Sequence, residues 1–125
     1  INAGSPYYGI RSVYDGRYRY IVNLTPEATF QNVETKSPLF KEWKRLAETD
    51  SHAKAMTTKY QHRPAIELYD VKNDPYCMKN LAEDAKQAST ISRLDKELKR
   101  WMKDCGDEGR ATEMRAFEHM PGKRK

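Results

Sequence analysis

No stretch of the 125 residues approaches the ~18 uninterrupted apolar residues that a transmembrane helix needs, and the opening INAGSPYYGIR has neither the basic nor the apolar region of a signal peptide. The expectation is a chain that spans no membrane; starting on a loop-like stretch at Ile1, it reads as a piece of something longer. Cysteine is scarce: Cys77 and Cys105 stand far apart without CxxC spacing, and His52, His62 and His119 never fall three or four residues apart. No zinc or redox motif can be written. A Cys77–Cys105 bridge and two reduced thiols both remain open, so the cysteines leave the compartment undecided. The six glycines are scattered singly, which removes a phosphate-cradling loop, and there is no GxSxG and no histidine near either cysteine. No catalytic residue and no metal ligand is expected within the chain.

What is present describes one folded unit. Eight Tyr, three Phe and two Trp are too many large apolar groups for a disordered chain, although 33% charged residues and a mean hydropathy of −0.98 make it polar. At 14.6 kDa it has the size of a single domain with a modest core, enough for one layer of helices on a sheet and too little for a deep enclosed cavity. Lys and Arg number 23 against 18 Asp and Glu, a net +5 interspersed along the chain, which attracts anions in general and marks no nucleic-acid block. Asn23-Leu24-Thr25 is a glycosylation sequon, but the following Pro26 makes it a poor acceptor.

Along the chain, Tyr14-Asp15-Gly16-Arg17 places Asp-Gly between two runs of β-branched and aromatic residues, predicting a β-hairpin over 10–24. Ser37 as N-cap and Pro38 at the first helical position open a helical region over 37–60, with Leu39, Phe40, Trp43, Leu46 and Ala47 as its apolar stripe. Asp50-Ser51 caps a second short helix carrying Ala53, Met56 and Tyr60. Residues 65–71 alternate as a half-buried strand, and Lys72 to Tyr76 form a turn. Asp84 opens a long helix over 85–105 with the stripe Ala88, Ile91, Leu94, Leu98, Trp101 and Met102, stopped by Gly106. A polar tail over 109–125 carries Met114, Phe117 and Met120 at three-residue intervals. The order predicts an α+β fold, a small antiparallel sheet with helices on one face.

Carboxylate pairs are explained by position: Glu83-Asp84 by a helix start, Asp107-Glu108 by a solvated loop. One constellation points elsewhere. Tyr14, Tyr18 and Tyr20, with Arg11, Arg17 and Arg19 nearby, resemble the basic aromatic strands that stack nucleic-acid bases. The competing reading, that the tyrosines pack beneath a helix, is the stronger. A free-standing nucleic-acid-binding module therefore stands as the alternative function, and a small hydrolase with an unforeseen triad as a third.

Tyr8-Gly9-Ile10-Arg11-Ser12-Val13 followed by Arg17 to Leu24, and above all Arg63-Pro64-Ala65-Ile66-Glu67-Leu68-Tyr69-Asp70-Val71-Lys72-Asn73-Asp74-Pro75-Tyr76 with Asn80-Leu81-Ala82, resemble the C-terminal subdomain of sulfatases and its E-L-Y-D-L-x-x-D-P-x-E-x-x-N-L-A signature. The helix around Trp43 and the late Gly106-Asp107 fit best the heparan N-sulfatase (sulfamidase) branch. The resemblance covers roughly residues 8 to 109. It departs at Gly9, where that branch often has Pro, and at Cys77, where the family usually has Glu.

The resemblance implies a parent enzyme that hydrolyses sulfate esters or sulfamates of sulfated sugars, using calcium and a formylglycine made from Cys or Ser in a Cys/Ser-x-Pro-x-Arg motif. That motif and an Asp-Asp pair for the metal are missing here. The expectation is one subdomain over 1–125 whose partner is a catalytic domain upstream of Ile1, structural and inert alone, so that whether the chain itself is an enzyme stays open. Family resemblance also implies an exported location, and Arg11, Tyr7 and Tyr8 as the residues that approach a sulfated saccharide, Arg11 through its guanidinium fork. A strand-face ion pair is the equal alternative for Arg11. Such a subdomain should present an apolar surface where the catalytic domain sits.

Overall fold

The computed structural model describes residues 8–119. Tyr7 and the end of the tail, Met120 included, lie outside the described residues. Strands β1 (Ile10–Tyr14), β2 (Tyr18–Asn23) and β3 (Ile66–Asp70) form one antiparallel sheet in the order β1-β2-β3. Between β2 and β3 lie helices α1 (Pro38–Leu46) and α2 (Ser51–Gln61); α3 (Ala88–Asp104) and the short α4 (Arg110–Met114) follow the sheet. No helix among the described residues is long and apolar enough to cross a membrane.

Local chemistry sets these boundaries. Asp15 Oδ1 accepts from the backbone N–H of Arg17 (2.9 Å) and Tyr18 (2.7 Å), and Gly16 takes φ +100°, closing the hairpin where Asp-Gly predicted it. Ser37 Oγ accepts from the Phe40 N–H and Asp50 Oδ1 from the Ala53 N–H, capping α1 and α2 as expected. Asp84 caps the 3₁₀ turn Ala85–Gln87 that runs into α3, and Gly106 ends that helix with φ +71°.

The register decides the hairpin's faces. Tyr14 pairs with Arg19 and Val13 with Tyr20, and directly opposed residues point to the same side. Tyr14 is therefore on the opposite face from Tyr18 and Tyr20, and the predicted three-tyrosine surface does not form. Tyr20 and Leu68 are fully buried against Leu94 and Leu98 of α3, with Tyr18, Val13 and Val22 around them. The Tyr20 hydroxyl donates to Asp95 at 3.1 Å. Tyr18 and Tyr20 thus belong to the core while Tyr14 is exposed on the other face, and the nucleic-acid module loses the single exposed three-tyrosine face it required.

Helices flank the sheet on both sides, not on one. Lys59 of α2 stands over the ring of Tyr69, 5.3 Å from its centroid, on the face away from α3. A second aromatic cluster holds this layer: Tyr8 meets Phe30 edge-on (5.2 Å), Phe30 meets Tyr60 (5.7 Å), and Tyr60 meets Phe40 (5.5 Å). The expected stripe of α1 is accordingly wrong in part. Only Phe40 is buried, while Leu39, Trp43 and Leu46 face out. On α3 Leu94 and Leu98 are buried as predicted, and Trp101, at the flank of the stripe, is exposed. The free edge of β3 is covered by Asn80, which accepts from the Leu68 N–H (2.9 Å) and donates to the Ile66 carbonyl (3.2 Å), an arrangement that blunts the edge.

Candidate functional site

Arg11, the leading candidate from sequence, is held inside the molecule. Its guanidinium pairs with Asp107, just past the end of α3, and lies 3.4 Å from the Glu113 carboxylate of α4. Only 17% of the side chain is exposed. Hydrogen bonding from Arg11 holds the Asp107 carboxyl below the usual carboxylate range, and the same bond raises the Arg11 pKa. Gly9 fits this clamp, since a Cβ there would sit 2.9 Å from the Glu113 side chain. Tyr8 is buried edge-on against Phe30, and burial raises its pKa. The structure therefore brings Arg11 to two carboxylates and Tyr8 to an aromatic core.

A cleft of about 350 Å³ opens between the sheet and α1–α2, with Arg19, Trp43, Lys59, Tyr69, Tyr76 and Met78 along its walls. Its floor carries a buried carboxylate. Glu67 accepts from Arg63 Nε (2.8 Å), Asn23 Nδ2 (2.7 Å) and the Tyr69 hydroxyl (2.5 Å). Burial alone would raise the Glu67 carboxyl, but these three donors outweigh it and hold the pKa below its ordinary value, while burial and that carboxylate push Tyr69 up. Glu67 is thus an anion already matched by Arg63.

Two cations beside it have no carboxylate within ion-pair distance among the described residues. The Lys59 ammonium donates to the carbonyls of Cys77 (2.8 Å) and Met78 (2.7 Å), and Cys77 takes a left-handed φ of 52° at that point. Arg19 is exposed and stands over the Tyr14 ring at 5.8 Å. Asp74, nearby, accepts from the N–H groups of Met78 and Lys79, which hold its carboxyl below the usual range. A larger, more open groove of about 450 Å³ runs between β3 and α3, where Asp95 takes both Lys99 and the Tyr20 hydroxyl. Sequence reading missed the Arg19–Lys59 cleft. The only local signal was the i,i+4 pair of Met56 and Tyr60 beside Lys59, which reads equally well as core.

His52 and His62 are exposed, and the Cys105 thiol donates to the Trp101 carbonyl of its own helix. Both cysteines are free thiols. Among the described residues no group of three His, Cys, Asp or Glu is placed to hold a metal ion, so these residues do not fit a calcium site, which needs several converging oxygens.

With this geometry in hand, the similarities to known proteins are informative. No family model matches the chain. An ulvan-active sulfatase of Formosa agariphila is 34% identical over 108 residues, which is 83% of this chain and 18% of that protein. A second ulvan-active sulfatase from the same organism is 33% identical over 98 residues, 78% of this chain and again 18% of the relative. The chain spans under a fifth of the length of these curated relatives, and it is a sulfatase-related segment.

Proposed function

We propose that this segment is the C-terminal subdomain of a sulfatase that removes sulfate from sulfated sugars, acting as a structural support for a catalytic portion that precedes it. Beyond the similarity, the observation that carries this reading is the apolar stripe of α1. Leu39 and Leu46 are 73% and 48% exposed and lie on one face of the helix, outside the cleft, while Phe40 alone is buried. A helix apolar on two sides fits one held between two bodies. In this proposal the formylglycine and the calcium ion belong to the preceding portion, because the residues described here do not fit them, and no step is routed through either. Arg11 and Tyr8 bear on substrate indirectly: Arg11 ties β1 to the Asp107–Glu113 segment and Tyr8 anchors the strand's approach, so that this edge of the subdomain stays rigid.

Relatives named for ulvan favour a sulfated polysaccharide in general. The heparan N-sulfatase branch rests on the resemblance around Trp43 and Gly106-Asp107. Export from the cytoplasm is part of the same proposal, since extracellular polysaccharide is then the accessible substrate. The test is the intact mass of the protein from its source, with sulfate release assayed in the same fraction. A species several times heavier than 14.6 kDa that releases sulfate from a sulfated polysaccharide supports the reading. A native 14.6 kDa species without that activity overturns it.

A further inference from the structure

We infer that the cleft between the sheet and α1–α2 binds one unit of an anionic saccharide, with Arg19 and Lys59 taking its acidic groups and the rings of Trp43 and Tyr76 its apolar face. The ligand class deepens the sulfatase reading and rests on it; the site itself rests on the cleft's geometry. Its volume of about 350 Å³ falls within the range of small-ligand pockets. The carboxylate in its lining, Glu67, is satisfied by Arg63, Tyr69 and Asn23. Among the described residues neither Arg19 nor Lys59 has a carboxylate within ion-pair distance, Lys59 acting on Asp74 only through space. Two carbonyls and the Tyr69 ring hold the Lys59 ammonium in place and leave one of its three donors.

The aromatic walls complete the match. Tyr76 is 85% exposed and Trp43 faces solvent, a large apolar area beside unpaired cations. A wholly apolar occupant would strip water from Arg19 and Lys59 without replacing it, which is costly. A sugar ring carrying sulfate or carboxylate has both faces the cleft asks for: C–H groups that lie on aromatic rings and oxygens that accept from Arg and Lys. Arg11, closed off by Asp107 and Glu113, has no donors so placed.

The experiment measures calorimetric affinity of the full-length protein containing this segment for an ulvan oligosaccharide and for the same oligosaccharide chemically desulfated. Arg19→Gln and Tyr76→Ala are compared with Arg100→Gln, which removes the same charge from α3 on the far side of the sheet. Thermal melts check folding, and Tyr76 is exposed enough that its removal leaves the packing intact. The sulfated oligosaccharide binds, desulfation and each cleft variant weaken it about tenfold, the scale of one charge-assisted or stacking contact, and Arg100→Gln does not. Absence of binding overturns the proposal. So does binding that ignores Arg19 and Tyr76, the result expected if a segment of the same polypeptide fills the cleft, and so does an equal loss in Arg100→Gln. Sulfate release by the unaltered protein is scored separately. A protein that binds through Arg19 but releases no sulfate sinks the sulfatase reading alone.

Discussion

Glu67 is almost completely buried yet ionised, because three donors converge on it from β2, from its own strand and from the segment after α2. Glu67→Gln keeps the volume but leaves Arg63 without its anion, and should cost roughly 3 kcal/mol, the lower end for a broken buried pair since Arg63 is partly solvated. A urea midpoint unchanged from that of the unaltered chain would refute this. Tyr20 carries a different charge problem. Burial and Asp95 raise its pKa to about 12. A group whose pKa is raised on folding contributes stability that is complete below its unfolded value near 10 and is lost as pH climbs toward 12. Asp15 and Asp70 are the reverse. Hydrogen bonds, first from Arg93 and from Arg17 respectively, lower both to about 2, so their contribution is complete above 3.8 and disappears as pH falls to about 2. Unfolding midpoints followed from pH 2 to 12 should therefore fall at both ends; Tyr20→Phe should reduce the alkaline limb while leaving the share of Tyr8 and Tyr69, whose pKa values are also raised, and a limb unchanged in that variant assigns it to those two.

At the scale of elements, local chemistry and packing separate cleanly. The caps of α1 and α2 act within one turn, so Ser37→Ala or Asp50→Ala should each cost ~1 kcal/mol. The stripe of α3 does not act evenly along its length. Leu98→Ala should cost about 2–5 kcal/mol, because Leu98 is buried beneath the sheet, whereas the exposed Trp101→Ala should fall within about 0.5 kcal/mol. Comparable losses at the two positions would mean that α3 is rotated relative to the sheet. These elements were legible because caps, Asp-Gly and i,i+4 periods operate over a few residues. The faces of the hairpin were not, since the Tyr14–Arg19 pairing depends on how many residues the loop holds, and one residue more or less reverses every side chain.

For the whole molecule, the exposed stripe on α1 and the rings of Tyr76 and Trp43 make one side of the unit far more apolar than a solvated surface requires. The 125-residue chain by itself should associate with rising concentration in sedimentation runs, and Leu39→Lys with Leu46→Lys should return it to a monomer without lowering its melting midpoint. A monomer at all concentrations would indicate that this side does not seek a partner. Sequence alone determined the order of elements, the turn at Asp15-Gly16, the caps, and the likeness of the Glu67-Leu68-Tyr69-Asp70 stretch to a sulfatase, all of which depend on neighbours in the chain. Tertiary structure decided that Arg11 is enclosed by Asp107 and Glu113, about a hundred residues away, and that Arg19 and Lys59 share a cleft with Trp43 and Tyr76. Those outcomes depend on which strand faces meet which helices, and contacts at such separation leave no periodic trace in the chain for a local reading to follow.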